Sequence, residues 1–224
     1  MANHIQSLEG LEALLKDKIK GQSGNIVINL IGIPKISRSN DIIGNCLQEW
    51  LPEWFQDNGL NLEPNPETQA FPDFIAHFDN HEEMVDIKCW NYLNNPAFDI
   101  ANFDSFYNVL YNNPAKLFAK YLTIGYTPQK HGFTIDYVGL KKLWDITGPS
   151  RKRPLNIQVK RQRPYAIRPI SFARHPNTSF NSPDELIQAV VETRKLFPND
   201  EIKYSEADWF NKLSLTLEHY RHKM

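Results

Sequence analysis

Asp73, Asp86 and Lys88 are the residues whose types and spacing suit a common chemistry. Pro72-Asp73-Phe74 opens one apolar stretch, and Val85-Asp86-Ile87-Lys88 lies within the next. In an extended strand, residues two apart share a face. Asp86 and Lys88 therefore point one way, while Ile87 points into a core. The turn-forming residues Asp79-Asn80-His81 separate the stretches, so a hairpin over about residues 71–90 is expected, with Asp73 at the same end. Two carboxylates and one ammonium would then converge. Such a group suits hydrolysis of a phosphodiester, which calls for a hard divalent cation with oxygen ligands. Asp73 and Asp86 would supply carboxylates to Mg²⁺, and the backbone carbonyl of Ile87 a further oxygen. Lys88 would stand beside the attacking water, lower its pKa and stabilise the charge that develops on the phosphoryl oxygens.

Pro72-Asp73 followed by Asp86-Ile87-Lys88 resembles the PD-(D/E)xK nuclease superfamily, whose best-known members are type II restriction endonucleases. The resemblance extends loosely over residues 41–172. It implies that Asp73 and Asp86 bind Mg²⁺ and that Lys88 assists the nucleophile. It further implies a sequence-specific endonuclease that cuts both strands of double-stranded DNA and leaves 5′-phosphates. A homodimer is expected, since a palindromic site matches two-fold protein symmetry. Some members carry another acid in the helix before the PD element, and here Glu49 and Glu53 are the candidates, with Glu49 included in the catalytic set. Glu67, Glu82 and Glu83 are ranked lower, as loop or solvent-facing residues. A repair or resolution nuclease with the same site, and a duplex-binding protein without catalysis, are the alternative readings.

Ile146 to Pro183 contains no Asp or Glu but holds eight cations, in a chain of net charge -1. A lopsided distribution of this kind fits a phosphate backbone. The expected DNA-binding segment spans about residues 151–174. Arg151, Lys152 and Arg153, in a loop, suit phosphate. Asn156, Gln158, Lys160, Arg161, Arg163 and Arg168 lie on a β-ribbon from Leu155 to Phe172, where their side chains could read base edges. Gln158-Val159-Lys160 also has the form of a variant half-motif, but lacks an upstream Asp in the right context.

The remaining elements must hold these residues in place. Ile5, Leu8, Leu11, Leu14, Leu15 and Ile19 form one face of a helix within residues 4–20. Asn25 to Ile33 is apolar and β-branched, and reads as a buried strand or the start of an apolar helix. A helix is expected over 41–56, with strands over 74–78, 83–90, 121–126, 133–143 and 155–160. Ser182-Pro183-Asp184-Glu185 has the form of a helix start, and helices are expected over about 183–222. The whole reads as one α/β (α+β) domain, 1–224, with a central mixed β-sheet flanked by helices, restriction-endonuclease-like in architecture. The apolar stripes of the first and last helices are the expected source of a subunit interface, and the Trp50, Trp54 and Phe55 cluster belongs to a core or to such an interface.

Composition narrows the remaining classes. With 41% hydrophobic and 23% charged residues the chain can bury a core. Cys46 and Cys89 have neither disulfide-framework nor metal-finger spacing, which fits a reducing cytoplasm. No stretch resembles a signal peptide or a membrane span, so a soluble cytoplasmic protein is expected. The seven histidines, His4, His77, His81, His131, His175, His219 and His222, form no HNH-like or HxxxH cluster. Gly21-Gln22-Ser23-Gly24 has no following Lys-Ser or Lys-Thr and reads as a plain loop rather than a phosphate cradle.

Overall fold

The structure is a computed structural model that describes residues 5–37, 39–66, 71–79, 81–199, 201–202 and 204–221. Glu67, His4 and His222, and Asn80 of the expected turn, lie outside the described residues. In chain order the elements begin with α1 (Leu8–Lys18), β1 (Ser23–Gly24), β2 (Val27–Leu30), β3 (Ile33–Ile36) and α2 (Asn40–Asp57). Next come β4 (Leu62–Pro64), β5 (Phe74–Phe78), β6 (His81–Asn91), β7 (Ala101–Asn102) and α3 (Phe103–Asn112). Then follow β8 (Lys120–Gln129), β9 (Gly132–Lys142), α4 (Leu143–Ile146), β10 (Ile157–Lys160), β11 (Arg163–Ile167), α5 (Pro183–Leu196) and α6 (Glu206–Arg221). The chain divides into two compact units, one of residues 1–96 with 119–141, the other of 97–118 with 142–224.

The first unit is built on a six-stranded sheet in the order β1-β9-β8-β6-β5-β4. β6 runs parallel to β8 and antiparallel to β5, which is antiparallel to β4. The sheet is therefore mixed, as expected. Parallel neighbours need a long crossover, and residues 97–118 supply it in sequence. Two helices cover the sheet with the spacing read from the sequence. Ser7 caps α1 by accepting from the Gly10 N–H, and Leu8, Leu11 and Leu15 are fully buried. From α2, Ile43, Leu47, Leu51 and Phe55 join Phe74, Val85, Ile87, Leu122 and Ile124 in the same core.

The second unit has a three-stranded sheet, β10-β11-β7, with α3 to α6. Its packing centres on Trp209, fully buried and stacked on Tyr107 with ring centroids 4.5 Å apart. The Trp209 Nε1–H donates to the Tyr107 carbonyl at 2.8 Å, so the one polar atom of the indole is satisfied. α5 starts where its cap signals place it, with the Ser182 hydroxyl accepting from the Glu185 N–H at 3.2 Å.

Two expectations fail here. Asn25 to Ile33 is not a buried strand. It forms most of a hairpin, β2 with β3, in which every strand residue is exposed. An apolar β-branched run shows that a segment favours an extended, water-excluded setting, but not which molecule excludes the water. Nor do the first and last helices leave their stripes free for a partner. Leu8, Leu11 and Leu15 of α1 and Trp209, Leu213 and Leu217 of α6 are buried within the chain itself, whereas Leu215 of α6 is exposed.

Truncation of the central tryptophan tests the second core. Trp209→Ala is expected to destabilise the fold by about 3–5 kcal/mol, read as a shift in the urea midpoint. A loss below about 1 kcal/mol would mean that this core is not what holds α3 to α6.

Candidate active site

Asp86 and Lys88 lie mid-strand in β6, between β5 and β8. The strand period separates their side chains from that of Ile87, which is fully buried in the core. Lys88 Nζ lies 2.8 Å from Asp86 Oδ2. Asp86 is only 4% exposed, and its Oδ2 meets no hydrogen-bond donor of acceptable geometry among the described residues. The pair is thus a charge contact held by strand geometry rather than a well-directed hydrogen bond.

Asp73 arrives from the neighbouring strand. The β5–β6 register pairs Phe74 with Val85, so Asp73 comes opposite Asp86 at the end of β5. Its Oδ2 accepts from the Ile87 N–H at 2.5 Å. Asn65 fixes the approach: its N–H donates to the Asp73 carbonyl and its Nδ2 to the Pro72 carbonyl, both at 2.9 Å. The structure therefore brings Asp73, Asp86, Lys88 and the Ile87 backbone into one group.

Burial dominates the electrostatics. It pushes Asp86 up from 3.8 to about 6, against the attraction of Lys88 and with the repulsion of Asp73. Asp73 is also raised by burial, opposed by the Ile87 hydrogen bond and by Lys88. Burial pulls Lys88 down, but Asp86 and Asp73 together hold it above its ordinary value. Lys88 therefore keeps its proton at neutral pH. Burial raises the Cys89 thiol and the Tyr121 hydroxyl beyond any range in which they would serve as nucleophiles.

The other sequence candidates separate into two groups. Glu49 and Glu53 are exposed on α2. The α2 side chain that reaches β6 is Gln48, whose Nε2 donates to the Ile87 carbonyl at 2.6 Å. Sequence reading passed over Gln48 because it sought an acid. The helical phase carries the signal: Glu49 is two residues past buried Leu47, roughly 200° round the helix, whereas Gln48 follows Gly44 by one turn, and Gly44 lies against Cys89. Glu82 and Glu63 instead flank His77, at 3.1 and 2.9 Å, and His81 meets Glu83 at 3.4 Å.

In the second unit, β10 and β11 form the expected ribbon, closed by Arg161 and Gln162 at positive φ. Three of its polar residues are engaged by the fold itself. The Arg168 guanidinium contacts Asp99 at 3.1 Å, Gln158 Oε1 at 2.8 Å and the Ala97 carbonyl. Asn156 Nδ2 donates to the Arg168 and Pro169 carbonyls. Lys160 Nζ sits 3.4 Å from the Tyr165 ring centroid and Arg153 5.7 Å from that of Phe197. Arg151, Lys152, Arg161 and Arg163 are exposed and make no ion pair among the described residues.

The profile of the NgoBV restriction endonuclease family matches residues 4–224. The chain belongs to that family. It is 29% identical over 202 residues to the type II restriction enzyme NlaIV of Neisseria lactamica, covering 88% of this chain and 82% of the relative. It is 30% identical over 148 residues to the type II restriction enzyme NgoBV of Neisseria gonorrhoeae, covering 65% of this chain and 84% of the relative. The solved NlaIV restriction endonuclease superposes with a TM-score of 0.85 at 26% identity, over 99% of this chain and 93% of that one. The fold is thus the restriction-endonuclease fold expected from the sequence, and the chain is a site-specific deoxyribonuclease.

Restriction endonucleases work with a divalent metal ion, and the residues present fit one. Among the described residues no cluster of three or more His, Cys, Asp or Glu is found. Two carboxylates and a carbonyl are nevertheless hard oxygen donors of the kind Mg²⁺ accepts while keeping several waters. The buried Asp86 Oδ2 has the single Lys88 ammonium beside it at 2.8 Å, and two carboxylates sharing one cation leave negative charge for a metal ion to meet.

Two predictions follow from this geometry. The folded protein holds the Asp86 proton more tightly than an unfolded carboxylate does, so raising the pH from about 4 to about 6 removes stability from the metal-free fold. Asp86→Asn stays neutral and is expected to be more stable than the parent in EDTA at pH 8, by up to about 3 kcal/mol. The difference should vanish near pH 4, and a less stable variant at pH 8 would contradict it. Gln48→Leu leaves the Ile87 carbonyl without its donor and is expected to cost about 10–100-fold in metal affinity or cleavage rate. Unchanged metal titration and rate would remove Gln48 from the site.

Proposed function

We propose that the chain uses Mg²⁺ at Asp73, Asp86 and the Ile87 carbonyl to hydrolyse phosphodiester bonds in double-stranded DNA, leaving 5′-phosphate ends. The convergence of buried Asp86 with half-buried Lys88 and Asp73 carries this reading. Both units together would form one nuclease domain, acting as a homodimer on a short palindromic site.

The ion would supply positive charge to the phosphate and acidify a water. Asp73 and Asp86 hold its place through their raised, unneutralised carboxylates. Gln48 fixes the direction of the Ile87 carbonyl, using one of its lone pairs. Lys88, protonated at neutral pH, stabilises charge on the phosphoryl oxygens and on the attacking water rather than taking a proton itself. Arg151, Lys152, Arg161 and Arg163 are the cations free to meet phosphates, with Lys160 beside them on Tyr165. Asn156, Gln158 and Arg168 support the ribbon's shape and are less available for reading bases.

Plasmid digestion with Mg²⁺ against EDTA, followed by sequencing of the ends, tests the whole. Discrete fragments with 5′-phosphates are expected. Asp86→Ala and Lys88→Ala should lower cleavage by about 10²–10⁴-fold and retain DNA binding in Ca²⁺. Arg161→Ala with Arg163→Ala should weaken binding and flatten its salt dependence. Parental cleavage by Asp86→Ala would place the chemistry elsewhere. Non-specific fragments would favour a repair nuclease.

A further inference from the structure

The β2–β3 hairpin has no partner within the described chain and an unusual surface. Val27 and Ile28 are each 52% exposed, Leu30 70%, Ile31 90%, Ile33 58% and Ile36 37%. Lys35 is the only charged residue between Asn25 and Ser37. An isolated two-stranded hairpin is marginal in water. This one leaves on the order of 600 Å² of apolar surface uncovered, the top of the range a monomer tolerates.

Its two edges are not equivalent. The Ser37 N–H donates to the Ile26 carbonyl at 2.8 Å, so that pair is hydrogen-bonded. Pairs alternate along an antiparallel ladder. Ile28–Lys35 and Leu30–Ile33 are therefore bonded, while the backbone groups of Val27, Asn29, Pro34 and Ile36 point outward. Pro34 has no N–H, which disables the outer edge of β3. The outer edge of β2 keeps the N–H and C=O groups of Val27 and Asn29, and among the described residues no further strand joins it.

We propose that this arm joins two copies of the chain, β2 pairing antiparallel with β2 across a two-fold axis. The inference rests on the homodimer reading above and adds the surface. A two-fold interface must be self-complementary. Opposing Val27 of one copy to Asn29 of the other satisfies every outward group of both strands and sets Ile28 against Ile28 on the axis. The same register carries the tip residue Ile31 next to Asn25 of the second copy. Asn25 and Ile26 line a 570 Å³ cavity with Trp50, Trp54 and Phe133, an apolar receptor for that tip. Strand pairing satisfies the free backbone edge of β2, and seating of the Ile31 tip covers the side chain that is 90% exposed in one copy. One lysine in thirteen residues is poor chemistry for a phosphate backbone, so a second copy is favoured over DNA.

Sedimentation of the full chain, with and without DNA in Ca²⁺, tests the proposal beside Ile28→Asp, Ile31→Asp and Ile28→Cys. The parent is expected to be a dimer. Each Asp variant should weaken dimerisation by at least about 100-fold with an unchanged circular dichroism spectrum. Ile28→Cys should cross-link to a covalent dimer under diamide, whereas the parent should not. A parent that is monomeric in both conditions sinks the homodimer reading itself. A dimeric parent with dimeric Asp variants sinks the arm alone. Monomeric Asp variants without cross-linking of Ile28→Cys overturn the strand register. A monomeric parent whose Ile28→Asp variant loses DNA binding would make the arm a DNA contact instead.

Discussion

The rest of the active unit depends on a carboxylate held almost out of water beside a single lysine. Burying Asp86 is unfavourable unless its charge is met. Lys88 meets it at 2.8 Å, yet Asp86 remains raised to about 6 because burial disfavours its charge and Asp73 adds a second negative charge to the same space. The site is therefore under-neutralised by construction. The sheet makes that tolerable. β6 is flanked on both edges, and the fully buried Ile87 between the two charged residues anchors the strand in the core. The folding energy of that core sustains a local charge deficit that a divalent cation would relieve.

Charge is divided between the units. The first carries the acidic group, and the second carries the exposed cations Arg151, Lys152, Arg161 and Arg163. Only the cations have to be exposed, because phosphate contacts are long-ranged and salt-sensitive while metal ligation is short-ranged and dry.

The convergence of the carboxylates and the lysine was legible because it rests on the strictest periodicity in proteins. A strand alternates every residue, so Asp86-Ile87-Lys88 has only one arrangement once the strand is granted, and the short turn before His81 fixes which strand pairs with it. Helix phase is less forgiving of a search by residue type, as Gln48 and Glu49 show, being neighbours in sequence on different faces. The basic segment was legible as a charge excess but not residue by residue. Asn156, Gln158 and Arg168 have the donors and acceptors that read bases, and a fold with carbonyls to satisfy uses the same groups. The exposure of the apolar run at Asn25 to Ile33 is not legible in sequence, because hydrophobicity reports avoidance of water, not the identity of what replaces it.

Two tight turns show where local folding preference has been set aside. Both β2–β3 and β10–β11 are closed by two residues at positive φ: Ile31 and Gly32 in one, Arg161 and Gln162 in the other. Such turns favour Asn and Gly, since a Cβ in the left-handed region costs about 1–2 kcal/mol. A β-branched isoleucine at φ 54° is among the least suited residues for that conformation. Neither tip gains burial in return, as Ile31 is 90% exposed and Arg161 is exposed. The two hairpins, alike in backbone, thus present different exposed side chains at their tips, an aliphatic one at Ile31 and a guanidinium at Arg161.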